Sequence, residues 1–455
     1  MVQETFINLL AGIAYIQDAD QLEKYGTDSS GYESALPSIV VRPASVDELV
    51  RVVKACAECE LNYTVQGGLT GLAGGARPEP GEVVINLERL NQIEEIDTIG
   101  GTAIVQAGVV LENLHAAVAE QGWYFPLDLG ARGSCQIGGN VATNAGGNKV
   151  FRYGTTRELV LGLEVVLPDG TCLNMLNRVL KNNTGLDLKH LFIGTEGRYG
   201  IITRVSLRLF PAPQARHTAL VALDSFASVT KLLKQARANL AELASFEVMW
   251  DNYMIRAAKA SGQAVPFNGE YPIYVLLEVE GADKPSLRDN LEEFLEQSLE
   301  DGLLQDVIVP QTLEQAAALW TIRDSSGEAM RSIMPCVAFD IGMPLKHMQE
   351  FIDRTLAAIE KTYPQAANQL FGHLGDGNLH LTTGNLSEAD LIPVEELVYQ
   401  LCQEYGGSIT AEHGIGRIKK PFLHYSRSPE QIALMQAIRQ VLNPQDRQNR
   451  GRVID

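Results

Sequence analysis

Between Pro126 and Gly154 the chain reads PLDLGARGSCQIGGNVATNAGGNKVFRYG, a stretch with seven glycines and few charges. Glycine lacks a Cβ, so such a backbone can pass close against a ligand and turn its N–H groups toward an anion. A solvated glycine-rich linker would show the same glycines without Leu127, Leu129, Ile137, Val141 and Ala145, which need a core. The stretch therefore reads as the lining of a site for a phosphate-bearing cofactor. The formal net charge of -19 argues against nucleic acid or an anionic membrane surface as a main partner, since both want a basic face. The phosphates of such a cofactor must then be met locally.

The pattern around this stretch divides the chain. Residues 2 to about 15 suit a short amphipathic helix, and a polar run rich in turn formers follows, so 1–37 reads as a lead-in segment. From Ser38 a strand (SIVVRP), a helix over 46–60 opened by the Ser45–Glu48 capping box, a short strand (NYTV), and a strand pair around VVINL and TAIVQAG are expected. A helix over 111–121 precedes the glycine-rich stretch. VLGLEVVLPDG carries a hairpin turn at Pro168-Asp-Gly, and LFIGTEGRYGIITRVSLRLFP alternates as sheet does. Pro211-Ala-Pro213 marks a boundary. Beyond it, helices near 225–241, 284–300, 311–331 and 346–362 alternate with strands YPIYVLLEVEG, DVIVP, CVAFDIGMP and QLFGHLG, the pattern of helices on a mostly antiparallel sheet. A last helix, 429–442, stops at Asn443-Pro444. The expected domains are 38–213 for the cofactor, 214–425 for substrate and metal, and 426–455 as a helix and tail packing back on the first.

No apolar run approaches the length of a membrane helix and the N-terminus lacks a signal pattern, so a cytoplasmic location is expected. The scattered cysteines imply no disulfides. The one close pair, Cys56 and Cys59, falls on a predicted helix with Leu49, Val52 and Val53, and no second pair completes a zinc site.

Two constellations carry chemistry. The first is the pair of glycine-rich loops, 66–71 and 138–147, which could line opposite sides of a dinucleotide diphosphate. Neither is a GxGxxG fingerprint or a Walker loop. The second is His373-Leu-Gly-Asp-Gly-Asn-Leu-His380, with Ala411-Glu-His-Gly-Ile-Gly416. A Gly-Asp-Gly turn can fold His373 and His380 toward each other, and two imidazoles with a carboxylate suit zinc or another divalent ion. Histidines hydrogen-bonded inside a core remain the alternative at this level. His115, His190, His217, His347 and His424 stand alone and read as surface or satisfied core residues.

QGGLTG, PLDLGARGSCQIGGNVATNAGG, FRYG, LGLEVVLPDG and LFIGTEGRYGIIT resemble the FAD domain of the vanillyl-alcohol-oxidase type flavoproteins. Within that superfamily the chain is similar, over nearly its whole length, to the FAD-linked D-2-hydroxyacid dehydrogenases, and among them to the D-2-hydroxyglutarate dehydrogenase group and D-lactate dehydrogenases. The resemblance implies an α+β chain: a vanillyl-alcohol-oxidase type FAD-binding domain, a ferredoxin-like α+β substrate domain and a C-terminal helical cap. It places FAD against Gln66, Gly67, Gly68, Leu69, Thr70, Gly71 and Leu72 of the first loop. In the second stretch it uses Pro126, Leu127, Asp128, Gly133, Ser134, Ile137, Gly138, Gly139, Asn140, Thr143, Asn144, Ala145, Gly147 and Tyr153. Glu196, Gly197, Gly200, Ile201 and Ile202 follow, with Asn449 from the tail. Leu69 stands where some relatives carry an attachment residue and the second stretch offers only Cys135, so the FAD is expected to be noncovalent.

The family pattern GHxGDGNxH with a later EHG matches here. It implies a divalent metal, zinc or manganese, on His373, His380 and Glu412, with His413 as catalytic base. Arg323, in LWTIRDSSGEA, stands where the family places a carboxylate-binding arginine, and an arginine fork grips a carboxylate with two hydrogen bonds. Asn378 joins the substrate set. Three departures fall on that set. A family lysine is here Ala338, a threonine is Gly327, and an asparagine is Thr382. A missing cation disfavours a second carboxylate, and the vacated volume suits small to medium apolar tails, so a monocarboxylic D-2-hydroxy acid such as D-lactate is the expected substrate, with D-2-hydroxyglutarate the alternative. The resemblance also names an electron-transferring flavoprotein or a quinone as electron acceptor, and a dimer is the expected assembly. Two rivals are an alkyl-dihydroxyacetone-phosphate synthase-like transferase, which would want basic residues near the histidines, and a flavoprotein electron carrier with a structural metal.

Overall fold

A computed structural model describes residues 2–282 and 284–455, which fall into two units. The first takes the chain up to Gly146, then Tyr153–Ala212 and Glu412–Asp455; the second takes Gly147–Arg152 and Pro213–Ala411.

In the first unit, β1 (Ala14–Ile16), β2 (Ile39–Arg42), β3 (Tyr63–Gln66) and β4 (Val83–Asn86) form a sheet in the order β1-β2-β4-β3, with β4 parallel to β2 and β3. Helix Val46–Glu58 makes the crossover. Ser45 caps it by accepting from Glu48 N, while Ala44 N donates to the Glu48 carboxylate at 2.8 Å, and the buried face carries Leu49, Val52, Val53 and Cys56. Cys56 is thus a core residue, as the helical spacing predicts. Helix Val2–Leu9 is shorter than expected: the chain turns at Gly12, whose φ of +82° suits glycine, and enters β1. Leu22 and Tyr25 of the polar lead-in pack with Val40 and Val84.

A second sheet has the order β5-β6-β10-β8-β9 and is antiparallel throughout: β5 (Ile93–Asp97), β6 (Thr102–Gln106), β8 (Val160–Val166), β9 (Cys172–Met175) and β10 (Ile201–Arg208). The hairpin at Pro168-Asp-Gly joins β8 to β9. VVINL and TAIVQAG are not partners; they belong to different sheets, and β6 pairs with β5 and β10 instead. Of the GRYGIIT segment only the part from Ile201 is strand. A two-stranded ribbon, β7 (Trp123–Tyr124) with β11 (Phe210–Pro211), completes the pairing. The tail is stitched in by buried polar groups. Tyr63 OH donates to Gln448 Oε1 at 3.0 Å, and Arg452 donates to the Gly75 carbonyl at 2.9 Å and to Thr64 Oγ1 at 2.8 Å.

The second unit is built on one antiparallel sheet in the order β15-β12-β14-β13-β17-β18-β16. Its strands are β12 (Ala215–Leu223), β13 (Leu243–Trp250), β14 (Ile273–Gly281), β15 (Asp306–Ile308), β16 (Cys336–Gly342), β17 (Ala367–Gly372) and β18 (Asn378–Gly384). Helices Phe226–Asn239, Pro285–Glu300 and Leu345–Thr362 lie close to their predicted positions, while the helix expected over 311–331 breaks at Ser325 into Leu313–Asp324 and Ser326–Arg331. Asp251–Ser261 and Leu391–Glu404 are helices that the sequence pattern did not mark.

Candidate functional site

In the first unit a glycine of each loop sits against neighbouring chain. A Cβ on Gly68 would stand 2.0 Å from the Ser134 carbonyl oxygen, and one on Gly138 would stand 2.5 Å from the Ala107 Cβ. Close packing therefore asks for glycine at these two positions, Gly68 against Ser134 and Gly138 against Ala107 just beyond β6. Leu69 holds φ of +59°, a conformation rare for a side chain of its size, and its carbonyl accepts from Ser29 N at 3.1 Å and Ser29 Oγ at 3.2 Å. Ile137–Thr143 is a helix, closed by Asn144 in the left-handed region. His115 is half-buried with Nε2 2.9 Å from the Leu127 carbonyl oxygen, a satisfied histidine in keeping with its isolation in sequence.

Two buried amide oxygens, Gln66 Oε1 and Gln136 Oε1, have no partner among the described residues. Gln136 Oε1 flanks Gly67. Buried acceptors without donors are costly, and the ribityl hydroxyls and ring N–H groups of FAD are donors of the right kind, so this cradle fits that cofactor. Cys135 is buried and its thiol is pushed up by burial, which leaves it a poor nucleophile for a covalent link.

Several residues expected at the cofactor also hold the frame. Glu196 accepts from Ile415 N at 2.7 Å and Gly416 N at 2.8 Å, holding the loop just after His413. Asn449 accepts from Val65 N at 2.8 Å and donates to the Glu196 carbonyl at 2.7 Å. Gly200 packs on Val165, where a Cβ would come within 2.5 Å. Gly147 heads a segment belonging to the second unit: Lys149 pairs with the buried Glu278 and Glu280, Ser245 Oγ donates to the Asn148 carbonyl at 2.8 Å, and the Phe151 ring fills the space beside Gly375.

The second unit gathers the histidines and Arg323. Leu374–Asp376 turns tightly, Gly377 takes φ of +85° with its Cα side closed by the Met343 carbonyl, and the His373 and His380 rings stand edge to face, centroids 5.5 Å apart. Arg323, in the last turn of its helix, is 4% exposed. Its Nε donates to Glu247 Oε2 at 2.8 Å, and Nη2 lies 3.2 Å from His373 Nε2. His373 Nδ1 is 2.9 Å from Glu247 Oε1. Burial alone would raise the Glu247 carboxyl, but His373 and Arg323 outweigh it and hold it below its ordinary value. Burial opposes the Arg323 charge too, and Glu247 more than restores it. Glu247 is a site residue that the sequence reading missed; its only sequence signal is an acid inside the apolar strand LASFEVMW. The contact between Arg323 and its neighbour Asp324 is long, 3.7 Å.

Beside His380 stands Asp340, fully buried, Oδ1 3.9 Å from Nδ1. Its oxygens accept from Asn378 Nδ2 at 2.9 Å, Thr410 Oγ1 at 2.9 Å and Ala411 N at 3.0 Å. Asn378 also donates to the Ile341 carbonyl at 3.2 Å, so its amide hydrogens brace the strand and only its oxygen is left for a ligand. Glu412 and His413 follow Ala411 directly and belong to the first unit, with their side chains 4.0 Å apart. Ala338 is exposed and lies opposite Thr382 in the ladder, and a Cβ on Gly327 would meet open space. Arg331, the cation nearest in sequence to Ala338, is 74% exposed in its side chain and sits 3.8 Å from Glu328. An open groove of about 690 Å³ near Phe226, Leu233, Arg237 and Leu345 shares no residue with this cluster.

The architecture is that of the vanillyl-alcohol-oxidase type FAD proteins. A structure of alkyldihydroxyacetonephosphate synthase matches 98% of this chain and 84% of its own, with TM-score 0.77 at 18% identity. Substrate-bound p-cresol methylhydroxylase matches 100% and 96%, with TM-score 0.77 at 17% identity. An FAD binding domain model matches residues 37–176, and a model of the C-terminal domain of FAD linked oxidases matches 212–453. A mitochondrial D-2-hydroxyglutarate dehydrogenase of Arabidopsis thaliana is 38% identical over 96% of this chain and 79% of its own length. A D-2-hydroxyglutarate dehydrogenase of Xanthomonas citri pv. viticola is 39% identical over 95% and 93%. A Schizosaccharomyces pombe protein provisionally named as a mitochondrial D-lactate dehydrogenase is 35% identical over 96% and 85%. The chain belongs to the FAD-linked D-2-hydroxyacid dehydrogenase family. Among the described residues no helix is long and apolar enough to cross a membrane.

Proposed function

We propose that the protein oxidises a monocarboxylic D-2-hydroxy acid with a small to medium tail, D-lactate included, to the 2-oxo acid. The observation that carries the choice is the ladder pair Ala338 and Thr382, which presents no cation beside the chemistry, while the nearest arginine in sequence points to solvent. A lysine there would supply a charge-assisted bond of about 1.5–3 kcal/mol to a second carboxylate. D-2-hydroxyglutarate, the acid named for the relatives, is the second reading, favoured by their identity to this chain.

FAD when bound supplies the two-electron acceptor for the C2 hydride, and a divalent ion supplies Lewis acidity at the 2-hydroxyl. Its proposed ligands are His373, His380 and Glu412. The Glu247 carboxylate on His373 Nδ1 is the partner that a metal-binding imidazole commonly has, and use of Nε2 requires Arg323 Nη2 to draw back from it. Asp340 fixes Ala411, so Glu412 begins one residue, about 3.8 Å of chain, from that anchor. Arg323, with Nε committed to Glu247 and Nη1 at 3.7 Å from Asp324, would meet the substrate carboxylate by exchanging that long contact for it. His413 takes the hydroxyl proton as the C2–O double bond forms. An electron-transferring flavoprotein or a quinone then reoxidises the enzyme. The unpaired cysteines suit a reducing compartment such as the cytoplasm, although several relatives are named as mitochondrial.

Anaerobic mixing with D-lactate, D-2-hydroxybutyrate, D-malate and D-2-hydroxyglutarate tests the reading through flavin bleaching. Fastest bleaching by a monocarboxylic acid supports it. Fastest bleaching by D-2-hydroxyglutarate favours the second reading, and no bleaching by any points to a carrier.

A further inference from the structure

The ladder that places Ala338 opposite Thr382 also places Thr382 opposite Gln369, so the three form one row across β16, β18 and β17. The adjacent row on the same strands is Asp340, His380 and Phe371. Residues two apart on a strand and directly opposed residues on neighbours share a face. Gln369 therefore projects on the face of His380, about 7 Å along the strand from it, at 3.3–3.4 Å per residue.

Gln369 is 0% exposed, and both its Nε2 and its Oε1 lack a hydrogen-bond partner among the described residues. A carboxamide with donor and acceptor both unmet in a core is a rare arrangement, because each end loses water without compensation. It is also the one residue of its row that could address a ligand from depth. Thr382 is short and nearly buried, while Ala338 is short and open to solvent, so the row grades from an exposed methyl to a buried amide. The row itself contains no charged side chain.

We propose that Gln369 determines substrate specificity: its carboxamide receives an uncharged hydroxyl on the tail of the 2-hydroxy acid, so the favoured class is 2,3- or 2,4-dihydroxy monocarboxylic acids. The inference rests on the monocarboxylic reading and replaces the apolar tail expected from the small residues alone. A hydroxyl both donates and accepts, which matches both ends of the amide. A carboxylate only accepts and would leave Oε1 facing negative charge. A methyl group in the same place would leave both amide ends unmet, and sites built to bond a hydroxyl reject such isosteres strongly.

The test uses the holoenzyme and two pairs that differ only by methyl against hydroxyl: D-2-hydroxybutyrate with D-glycerate, and D-2-hydroxyvalerate with D-2,4-dihydroxybutyrate. The expected result is a kcat/KM at least about 10-fold higher for the hydroxyl member of one pair. Gln369→Leu should invert that preference. Gln369→Glu, closer in shape and a check should the leucine variant fold poorly, should reduce it at a pH where the new carboxylate is ionised. A preference for methyl in both pairs, or a ratio unchanged in both variants, overturns the proposal and leaves Gln369 a structural amide. Highest kcat/KM for D-2-hydroxyglutarate in wild type, with the hydroxyl preference and its loss in the variants still seen, overturns the monocarboxylic reading alone. The same result without them overturns both.

Discussion

Glu196 and Gly416 are 220 residues apart in sequence and joined by hydrogen bonds of 2.8 and 3.0 Å from the glycine N–H to the two carboxylate oxygens. Ile415 N adds a third bond at 2.7 Å. The carboxylate thus fixes the backbone two and three residues after His413, from a residue whose own φ is +52°. Glu196→Ala leaves two N–H groups without their acceptor and should cost about 2–6 kcal/mol in urea unfolding, at about 1–3 kcal/mol for each lost partner. Glu196→Gln keeps an acceptor oxygen and should lose much less. Equal losses in both would mean that the loop is held by other contacts.

The same carboxyl makes a pH prediction. Burial pushes Glu196 above its usual 4.5, with the Gly416 and Ile415 N–H groups opposing in part. A group with a raised folded value binds its proton more tightly when folded, so its stabilising contribution is present below 4.5 and fades as pH rises through the raised value. The melting temperature of wild type relative to Glu196→Gln should therefore fall as pH climbs from about 4 toward neutrality. A difference flat across that range would show that burial does not perturb this carboxyl.

Glu247 carries the opposite sign. His373 and Arg323 hold its carboxyl below the usual 4.5 against the pull of burial. Its contribution is thus present above 4.5 and lost as pH falls through the depressed value. Glu247→Ala strands a buried guanidinium and should cost about 3–5 kcal/mol at neutral pH, the usual penalty for breaking a buried ion pair. Glu247→Gln should fall between the alanine variant and wild type. The measurement is urea unfolding at pH 7 and below pH 4; an undiminished gap at the acid end would overturn the assignment.

What the sequence revealed and what it concealed follow from where each signal resides. Helices Val46–Glu58 and Pro429–Leu442 are bounded by side-chain caps, Ser45 with Glu48 and Ser428 with Gln431, which are local and readable. Helices Asp251–Ser261 and Leu391–Glu404 have no side-chain cap bond at their N-termini, so their starts lack the signal that marks the other two, although Gly262 closes the first in the left-handed region. Strand Ile93–Asp97 has adjacent glutamates at its centre, which mask the alternation. The histidine motif was legible because its turn is contiguous. Glu247 and Gln369 were not: Glu247 meets Arg323 at the end of a helix and His373 in the turn after β17, and the row that holds Gln369 is set by ladder register, which are tertiary facts. The glycine-rich loops were legible as composition, but the sequence could not say that the neighbour of Gly68 is the Ser134 backbone.

For the metal and the base, a strong chelator should abolish turnover, with zinc or manganese restoring it, while the flavin absorbance stays with the protein. His413→Ala should lower kcat by about 100-fold or more, the usual contribution of a positioned base, with metal content by elemental analysis unchanged. Full activity after removal of all divalent metal would take the ion out of the mechanism, and a loss under tenfold in the alanine variant would move the proton to another group.

The mode of FAD attachment can be decided without turnover. Covalent attachment through the second glycine-rich stretch would have to use Cys135, which is 2% exposed, lies 3.5 Å from Asn140 Nδ2, and has its thiol raised by burial. The thiolate that would attack the flavin ring is thus disfavoured. The first loop offers Leu69, held at φ of +59°, which has no nucleophilic atom. Acid precipitation of the purified holoprotein should therefore release the whole of the yellow cofactor into the supernatant, and Cys135→Ala should bind the same stoichiometry of FAD as wild type. Flavin fluorescence that remains with the wild-type chain on a denaturing gel, and disappears in Cys135→Ala, would show that this buried thiol forms the link after all.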